Sequence, residues 1–322
     1  MMQNNSLAVS RIFQNTFVLY RSHFKSYLGI TLRSGLWSSA IFLLFLAFTG
    51  LTLVLFSIVG SIINQGSPNW ILVGLLLFFL TIGLLVALFY SSFFCVGKSL
   101  MNLAVISRLA YQELAQKPET PRSTRQQIST RHWQFCWMHV LVGLLLAVVN
   151  VGLQALQVFV LLPASSIFGG ESATVIILNL VLDLVSYGIY LWFYAHLFIS
   201  EVPLAVENNL TSSSAIERSW NLSKRNVFQI VLAIFVAGLI TIPLYFAVFF
   251  LVFAPLIPAI LVAIQSNDWS TLAAQTSLIF SIASAFLRYI FLSIIIGLLI
   301  APFWQVIKGV IYYQLQCQHI DN

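Results

Sequence analysis

Six long apolar runs divide this chain, and nearly all of its basic residues lie beside alternate ends of those runs. A helix of about 20 apolar residues is long enough to cross the hydrocarbon core of a bilayer. Because lipid offers no partner to backbone polar groups, such a segment is expected to be helical. Runs that are apolar on all faces also lack the alternation of a barrel strand. The predicted spans are 35–63, 70–96, 133–162, 175–198, 227–252 and 278–302.

The amino-acid composition argues against an ordinary water-soluble fold. Only 7% of the 322 residues are charged and 60% are hydrophobic, whereas a soluble domain carries about 25% charged residues. So few charges could not cover the surface of a soluble domain of this length. We therefore predict an all-α polytopic membrane protein with six transmembrane helices and with amphipathic interfacial helices on the cytoplasmic side.

The basic residues indicate how the chain is oriented. Fourteen of the fifteen Lys and Arg residues lie in the N-terminal segment, in the loops after spans two and four, or in the C-terminal tail, and Arg288 lies inside span six. The positive-inside rule then predicts that both termini are cytoplasmic. We expect a bacterial cytoplasmic (inner) membrane or an equivalent internal membrane. We also expect contacts with anionic lipid headgroups, and none with nucleic acid. A membrane-protein partner or a homo-oligomer is left open.

This pattern predicts three parts. They are a cytoplasmic amphipathic interfacial segment over 1–34, a transmembrane domain over 35–304 and a short cytoplasmic tail over 305–322. Span five is the least regular, because its apolar run continues from 227 to 264 and contains three prolines. Proline kinks or ends a helix, so we expect a kinked span five followed by an interfacial or re-entrant piece reaching Gln265.

Aromatic residues before span one recur at intervals of three and four residues, which places them on one face of a helix. We predict that this helix lies in the headgroup layer with its aromatic face towards lipid. The alternative is a cytoplasmic helix packed on the protein's own loops. The aromatic residues are Phe13, Phe17, Tyr20, Phe24 and Tyr27.

A second amphipathic segment, the cytoplasmic elbow, precedes span five. Ser214 and Glu217 have the spacing of a capping box. The glutamates of the elbow could pair with its cations and hold it in place; the alternative is a cation site, for which two carboxylates six residues apart are weak evidence. The residues of interest in the elbow are Glu201, Glu207, Glu217, Arg218, Trp220 and Lys224.

The elbow also carries a family resemblance. The stretches 201–207 and 215–224, followed at once by an apolar span, resemble the membrane domain associated with some glycerophosphoryl diester phosphodiesterases and its stand-alone bacterial relatives. The closing 310–315 resembles the ending of that group, although the basic segment that follows there is missing here. The resemblance implies a polytopic helical module. It implies no catalytic residues, because the chemistry of the fused enzymes belongs to a separate soluble domain.

Polar residues inside spans three, four and six form a candidate intramembrane cluster. Asp183 and Arg288 have opposite charge and similar predicted depth, and ionisable residues inside spans usually face a partner or a cavity. An ion pair between them could be purely structural, or the cluster could line a substrate or ion pathway. The polar stripes on spans three and four could likewise be interhelical glue or the lining of a cavity. The cluster consists of Asn150, Gln154, Gln157, Asn179, Asp183 and Arg288.

Catalytic and metal-binding patterns are missing from the sequence. None of the five histidines stands in a metal-binding spacing, and there is no GxSxG, Walker loop or GxGxxG. His132 and His139 are expected to pack at the membrane interface. We therefore expect no enzyme activity, no metal and no cofactor. The leading hypothesis is a membrane module that organises or stabilises a complex or a lipid region. The alternatives are a small transporter or channel for a solute or lipid, and an intramembrane enzyme.

The orientation can be tested with tags. A tag at residue 1 or 322, and the basic stretch 117–131, are expected to be reached by protease only after the membrane is permeabilised, because positively charged segments stay on the cytoplasmic side. Cleavage of 117–131 from outside intact cells would contradict the predicted topology.

Overall fold

The computed structural model describes residues 9–64, 70–170, 172–258, 261 and 272–320. Six long helices in these ranges are apolar enough to cross a membrane, and no strand occurs there. The predicted all-α polytopic fold is therefore confirmed. The helices are α1 (Val9–Ser22), α2 (Phe24–Asn64), α3 (Trp70–Leu114), α4 (Pro121–Ile128), α5 (His132–Phe168), α6 (Ala173–Leu197), α7 (Glu201–Val206), α8 (Ser212–Ser223), α9 (Val227–Phe253) and α10 (Leu272–Ile320).

Three long helices, α2, α3 and α10, extend well beyond their predicted spans, whereas α6 and α9 end within two residues of theirs. α3 has 45 residues, which at 1.5 Å per residue is about 68 Å, against a hydrocarbon core of about 30 Å. α2 begins at Phe24 and α10 continues to Ile320. The predicted boundaries at 34/35 and 304/305 thus fall inside continuous helices, because the apolar helical pattern runs on past each span.

The main core lies at one end of the long helices. We call this the basic end; α1, α4, α7 and α8 pack there. The main core contains residues from all six long helices, because each helix still has buried positions beyond its apolar run. Representative buried residues are Tyr27 and Ile30 of α2, Val105 and Ile106 of α3, Phe135 and Met138 of α5, Ala195 of α6, Ile230 and Ala233 of α9, and Ile307 and Ile311 of α10.

The apolar stretches of the spans are packed far less than the basic end. In each of the first four spans, the most apolar 18-residue stretch contains no buried residue. A small cluster joins α9 and α10 through Val248, Val252 and Ala285. This contrast has a physical cause: lipid tails are as apolar as leucine, so no hydrophobic force drives helices together inside the bilayer.

The helices are arranged as three hairpins, which are α2–α3, α5–α6 and α9–α10. Each hairpin packs on the next through α3–α5 and α6–α9, and α10 packs on α2 and α3 to close a ring. Among the described glycines, the closest helix approach is at Gly309, where α10 crosses α3. A Cβ atom at Gly309 would lie 2.5 Å from the backbone oxygen of Ser107 and 3.1 Å from Cβ of Ala110. Beside it, the Ser107 hydroxyl donates to Gln305 Oε1 at 2.6 Å.

Helix α1 packs on the long helices of the protein, mainly on α10, and not on the loops that the alternative interpretation named. Ile12 and Leu19 are buried in the core, and the Tyr20 hydroxyl donates to the backbone oxygen of Leu299 at 2.9 Å. Within α1 the buried face is formed by Ile12, Thr16 and Leu19, and the aromatic residues of α1 flank it. Tyr27 of the stripe lies on α2 and is buried in the core. Phe17 stays 49% exposed although its ring contacts Phe303, so part of the stripe is still open to the surroundings.

The elbow and span five differ in detail from their predictions. The capping box of α8 is formed by Thr211 and Ser214, three residues earlier than predicted, because the helix already begins at Ser212. α9 passes through Pro243 without a break in the helix. The predicted piece reaching Gln265 begins with a short 3-10 helix over Ala254–Leu256, and its residues 259–260 and 262–265 lie outside the described residues.

The close approach of α3 at Gly309 leaves no room for a larger residue at this position. Gly309→Ala is expected to lower the free energy of unfolding by about 1–3 kcal/mol, because the added methyl group meets backbone and forces α3 and α10 apart. Thermal unfolding of the purified protein in mild detergent measures the effect. Gly83→Ala is the matched control, since a Cβ there meets nothing within 4 Å. An equal response of the two variants would contradict the close crossing.

Candidate functional site

A buried carboxylate, Glu201, ties three helices together at the basic end. Glu201 is 2% exposed and its Oε1 atom lies 2.6 Å from Nζ of Lys308 on α10. Its Oε2 atom lies 3.5 Å from Nε2 of His139 on α5. The Lys308 ammonium also lies 5.2 Å from the ring centre of Phe198. The charge of Glu201 is therefore compensated within the protein, as a buried charge requires.

Glu207 forms a second connection, between α8, α10 and the start of α5. Its Oε1 atom accepts from Nε of Arg218 at 3.2 Å and from the Tyr312 hydroxyl. The guanidinium of Arg131 donates to the backbone oxygens of Glu207 at 3.0 Å and Leu210 at 2.6 Å. The expected pairing of Glu207 with Arg218 is present, whereas Glu201 pairs with residues outside the elbow.

Arg108 forms the third connection and is 6% exposed. Its Nε and Nη2 atoms donate to the two carboxylate oxygens of Glu119 at 3.0 and 2.8 Å, and Nη1 donates to the backbone oxygen of Ala205 at 2.8 Å. Burial alone would raise the pKa of Glu119, but the hydrogen bonds from Arg108 and Thr124 lower it below its ordinary value. Glu119 therefore stays ionised and fixes the start of α4 against α3 and α7.

The elbow lines a cavity of about 660 Å³ between α6, α8 and α9, which we call the α8–α9 pocket. His196 stacks on Trp220 with ring centres 4.1 Å apart, and its Nδ1 atom lies 2.6 Å from the Ser223 hydroxyl. Lys224 and Arg225 also line the pocket; both are exposed, and neither forms an ion pair with a described residue.

The remaining elbow residue, Glu217, lies apart from these contacts. It is exposed and forms no ion pair within the described ranges. It does not line the α8–α9 pocket. The elbow glutamates thus have three different environments: Glu201 is fully buried, Glu207 is half-buried and Glu217 is open.

The polar stripes of α5 and α6 line an open groove of about 1060 Å³, which we call the intramembrane groove. Nε2 of Gln157 donates to Oδ1 of Asp183 at 2.9 Å and to the Ser186 hydroxyl at 3.2 Å. Asn150 and Gln154 line the same groove. The stripes therefore combine both predicted roles. The hydrogen bonds of Gln157 join α5 to α6, and Asp183 remains exposed in the groove.

Two members of the predicted cluster do not join the groove. Asn179 and Arg288 are absent from its lining. Nε of Arg288 instead donates to the backbone oxygen of Ser284, one turn earlier on α10, at 3.3 Å. No ion pair joins Asp183 and Arg288, because equal depth on two helices does not make their side chains face each other.

The two histidines at the start of α5 have different contacts. The ring of His132 packs edge-on against Phe94, and Nε2 of His139 contacts Glu201. Among the described residues, no group of three or more His, Cys, Asp or Glu side chains could hold a metal ion.

The contacts that fix the basic end were largely missed by sequence reasoning. Lys308 lies in the predicted tail, His139 is predicted to pack at the interface, and both Arg108 and Glu119 lie between predicted spans two and three. One signal was present for Lys308: the apolar residues around it, from 303 to 315, keep a helical spacing, which indicates a packed helix and not a solvated tail.

These observations define a polytopic α-helical membrane protein whose hairpins are joined at one end by buried ion pairs. Comparison of the chain with protein-family models, with curated proteins and with solved structures finds no match. The resemblance to the phosphodiesterase-associated membrane domain stays a prediction.

The Glu201–Lys308 pair predicts that removing one partner destabilises the protein more than additive effects of the two partners would suggest. Glu201→Gln is expected to lower the free energy of unfolding by about 3–5 kcal/mol, because Lys308 is left without its carboxylate. Replacing both partners, with Glu201→Gln and Lys308→Met, should cost less than the sum of the single changes. Unfolding in mild detergent measures each variant. Glu217→Gln is the control, and a Glu201→Gln variant as stable as that control would contradict the role of the buried pair.

Proposed function

We propose that this protein is a non-enzymatic integral membrane protein that organises anionic lipid at the cytoplasmic face of a membrane, with both termini on that side. The observation that carries the proposal is the α8–α9 pocket. There, Lys224 and Arg225 line a cavity beside Trp192 and Trp220. Neither cation has a carboxylate partner among the described residues.

The chemistry of this pocket suits the headgroup layer. Lys and Arg beside an anionic leaflet gain about 1 kcal/mol each, and tryptophan is enriched at the membrane–water interface. The buried carboxylates of the basic end already have their own cations in Lys308, Arg218 and Arg108. Lys224 and Arg225 are therefore available to lipid phosphate.

The shape of the molecule supports the same role. The basic end has a closed core, whereas the apolar stretches of the first four spans expose their side chains. Lipid is the solvent for those surfaces. A protein that fixes three hairpins at one end, and lets lipid cover the rest, would order the neighbouring acyl chains and hold anionic headgroups at its basic end.

The intramembrane groove favours a second candidate, a transporter for a solute or lipid. Asp183 is exposed in the groove, and an ionisable side chain inside a bilayer is costly unless a polar group or water covers it. A polar headgroup or solute passing along Asn150, Gln154 and Gln157 would provide such cover.

The lipid proposal predicts a preference that can be measured with spin-labelled lipids. In phosphatidylcholine vesicles, the wild-type protein should immobilise a trace of phosphatidylglycerol more strongly than a trace of labelled phosphatidylcholine. Lys224→Gln with Arg225→Gln should weaken the preference, by about fivefold for each cation at 1 kcal/mol per charge. Lys117→Gln, an exposed cation outside the α8–α9 pocket, is the control.

The outcomes separate the two candidates. Equal immobilisation of both lipids by the wild-type protein would contradict the lipid proposal. A fluorescent phospholipid in the same vesicles tests the second candidate: if the protein exposes inner-leaflet copies to dithionite and Asp183→Leu stops this exposure, the groove transports lipid.

A further inference from the structure

A second set of cations surrounds a cleft between α2, α3 and α4 at the basic end. Two adjoining cavities, of about 570 and 420 Å³, share Arg33 of α2 and Arg125 of α4 in their linings. Lys98 of α3 lines the larger cavity, and Lys25 and Arg122 line the smaller one. We call the two cavities together the α2–α4 cleft. Five positive side chains from three helices thus converge on one space.

The charge of the α2–α4 cleft is not neutralised by the protein. None of its five cations forms an ion pair with a described carboxylate. The carboxylate closest in sequence to α4, Glu119, accepts from Nε and Nη2 of Arg108. Like charges repel each other when they converge, so the arrangement is suited to an anion that enters from outside.

One guanidinium in the cleft is already oriented. Nε of Arg125 donates to Oδ1 of Asn102 at 3.1 Å, and Nδ2 of Asn102 donates to the backbone oxygen of Lys98 at 2.7 Å. The two Nη groups of Arg125 donate to no described residue. A guanidinium fixed at Nε, with its Nη groups open, can donate several hydrogen bonds to the oxygens of a phosphate.

The larger cavity also has an apolar wall. Leu36, Trp37 and Ala40 follow Arg33 along α2 and line it, and the Trp37 ring packs edge-on against Phe94. The cleft is therefore cationic towards the basic end and apolar towards the membrane. A soluble anion would use only the first part, whereas a phospholipid would use both.

From this geometry we infer that the α2–α4 cleft binds a phospholipid whose headgroup carries two phosphate groups. Arg33 and Arg125 lie where the two cavities meet. Lys98 adds charge to the cavity with the apolar wall, and Lys25 and Arg122 add charge to the other. Each cavity can thus receive one phosphate, with an acyl chain along Leu36 and Ala40. The inference rests on the proposed function, and it names the lipid class.

The test compares lipids at equal total charge. Purified protein is titrated with cardiolipin, which has two phosphates, or with twice the amount of phosphatidylglycerol, which has one, and bound lipid is counted by native mass spectrometry. The wild-type protein should prefer cardiolipin. Arg33→Gln with Arg125→Gln should weaken cardiolipin binding about 30-fold, which is about 2 kcal/mol at 1.4 kcal/mol per tenfold change. Lys117→Gln should have no effect.

A soluble competitor distinguishes the two sources of phosphate. Inorganic pyrophosphate should not displace cardiolipin, because it cannot use the apolar wall. Equal competition would overturn the lipid inference and assign the cleft to a soluble phosphorylated compound. If Arg125→Gln impairs folding, Arg33→Gln alone carries the test, because Arg33 is exposed and donates to no described residue.

Failure of this inference can be told apart from failure of the proposed function. Lys224→Gln with Arg225→Gln should leave the cardiolipin preference intact. If the wild-type protein shows no preference for two phosphates but still immobilises phosphatidylglycerol at the α8–α9 pocket, the inference fails alone. If it retains neither anionic lipid, both fail.

Discussion

The hydrophobic effect acts on this protein only where water reaches it, and the architecture depends on that restriction. Inside the bilayer, burying a leucine against another helix gains little over leaving it in lipid. Where the long helices emerge into water, the same side chains gain roughly 1.5–3 kcal/mol each on burial. The main core therefore forms at the basic end, from Tyr27, Phe135, Ile230 and Ile307 among others, and the apolar stretches of the first four spans stay open to lipid.

Buried ion pairs give this core its specific arrangement. Lys308 can reach Glu201 only if α10 lies against α7, and Arg108 can reach both Glu119 and Ala205 only if α3, α4 and α7 meet. Breaking one partner of such a pair is far more costly than the pair is stabilising, so wrong packings are disfavoured. Because the buried carboxylates already pair with Lys308, Arg218 and Arg108, the cations of the α8–α9 pocket and the α2–α4 cleft have no acidic partner among the described residues.

The helices could be predicted from the sequence, but the contacts at the basic end could not. Apolar run length determines where spans lie, so Val227–Phe253 agrees with its prediction to one residue. Whether Glu201 meets Lys308, 107 residues later, depends on how three hairpins close into a ring, which no local pattern encodes. For the same reason, the opposite charges of Asp183 and Arg288 suggested a pair that does not form. Arg33 and Arg125 likewise come together only because α4 packs on α3, which places it beside the same cavity as α2.

The most direct test of this account compares the two ends of the hairpins in a lipid bilayer. Spin labels at Gln126 and Ser213, which are exposed at the basic end, and at Ser61 and Ser166, which are exposed near the opposite end, can be placed in a Cys317→Ser background. Pulsed electron–electron double resonance then measures the distance distribution of each pair. The account predicts a narrow distribution at the basic end and a broad one at the opposite end. Two equally narrow distributions would contradict it, because they would require packing between hairpins throughout the membrane.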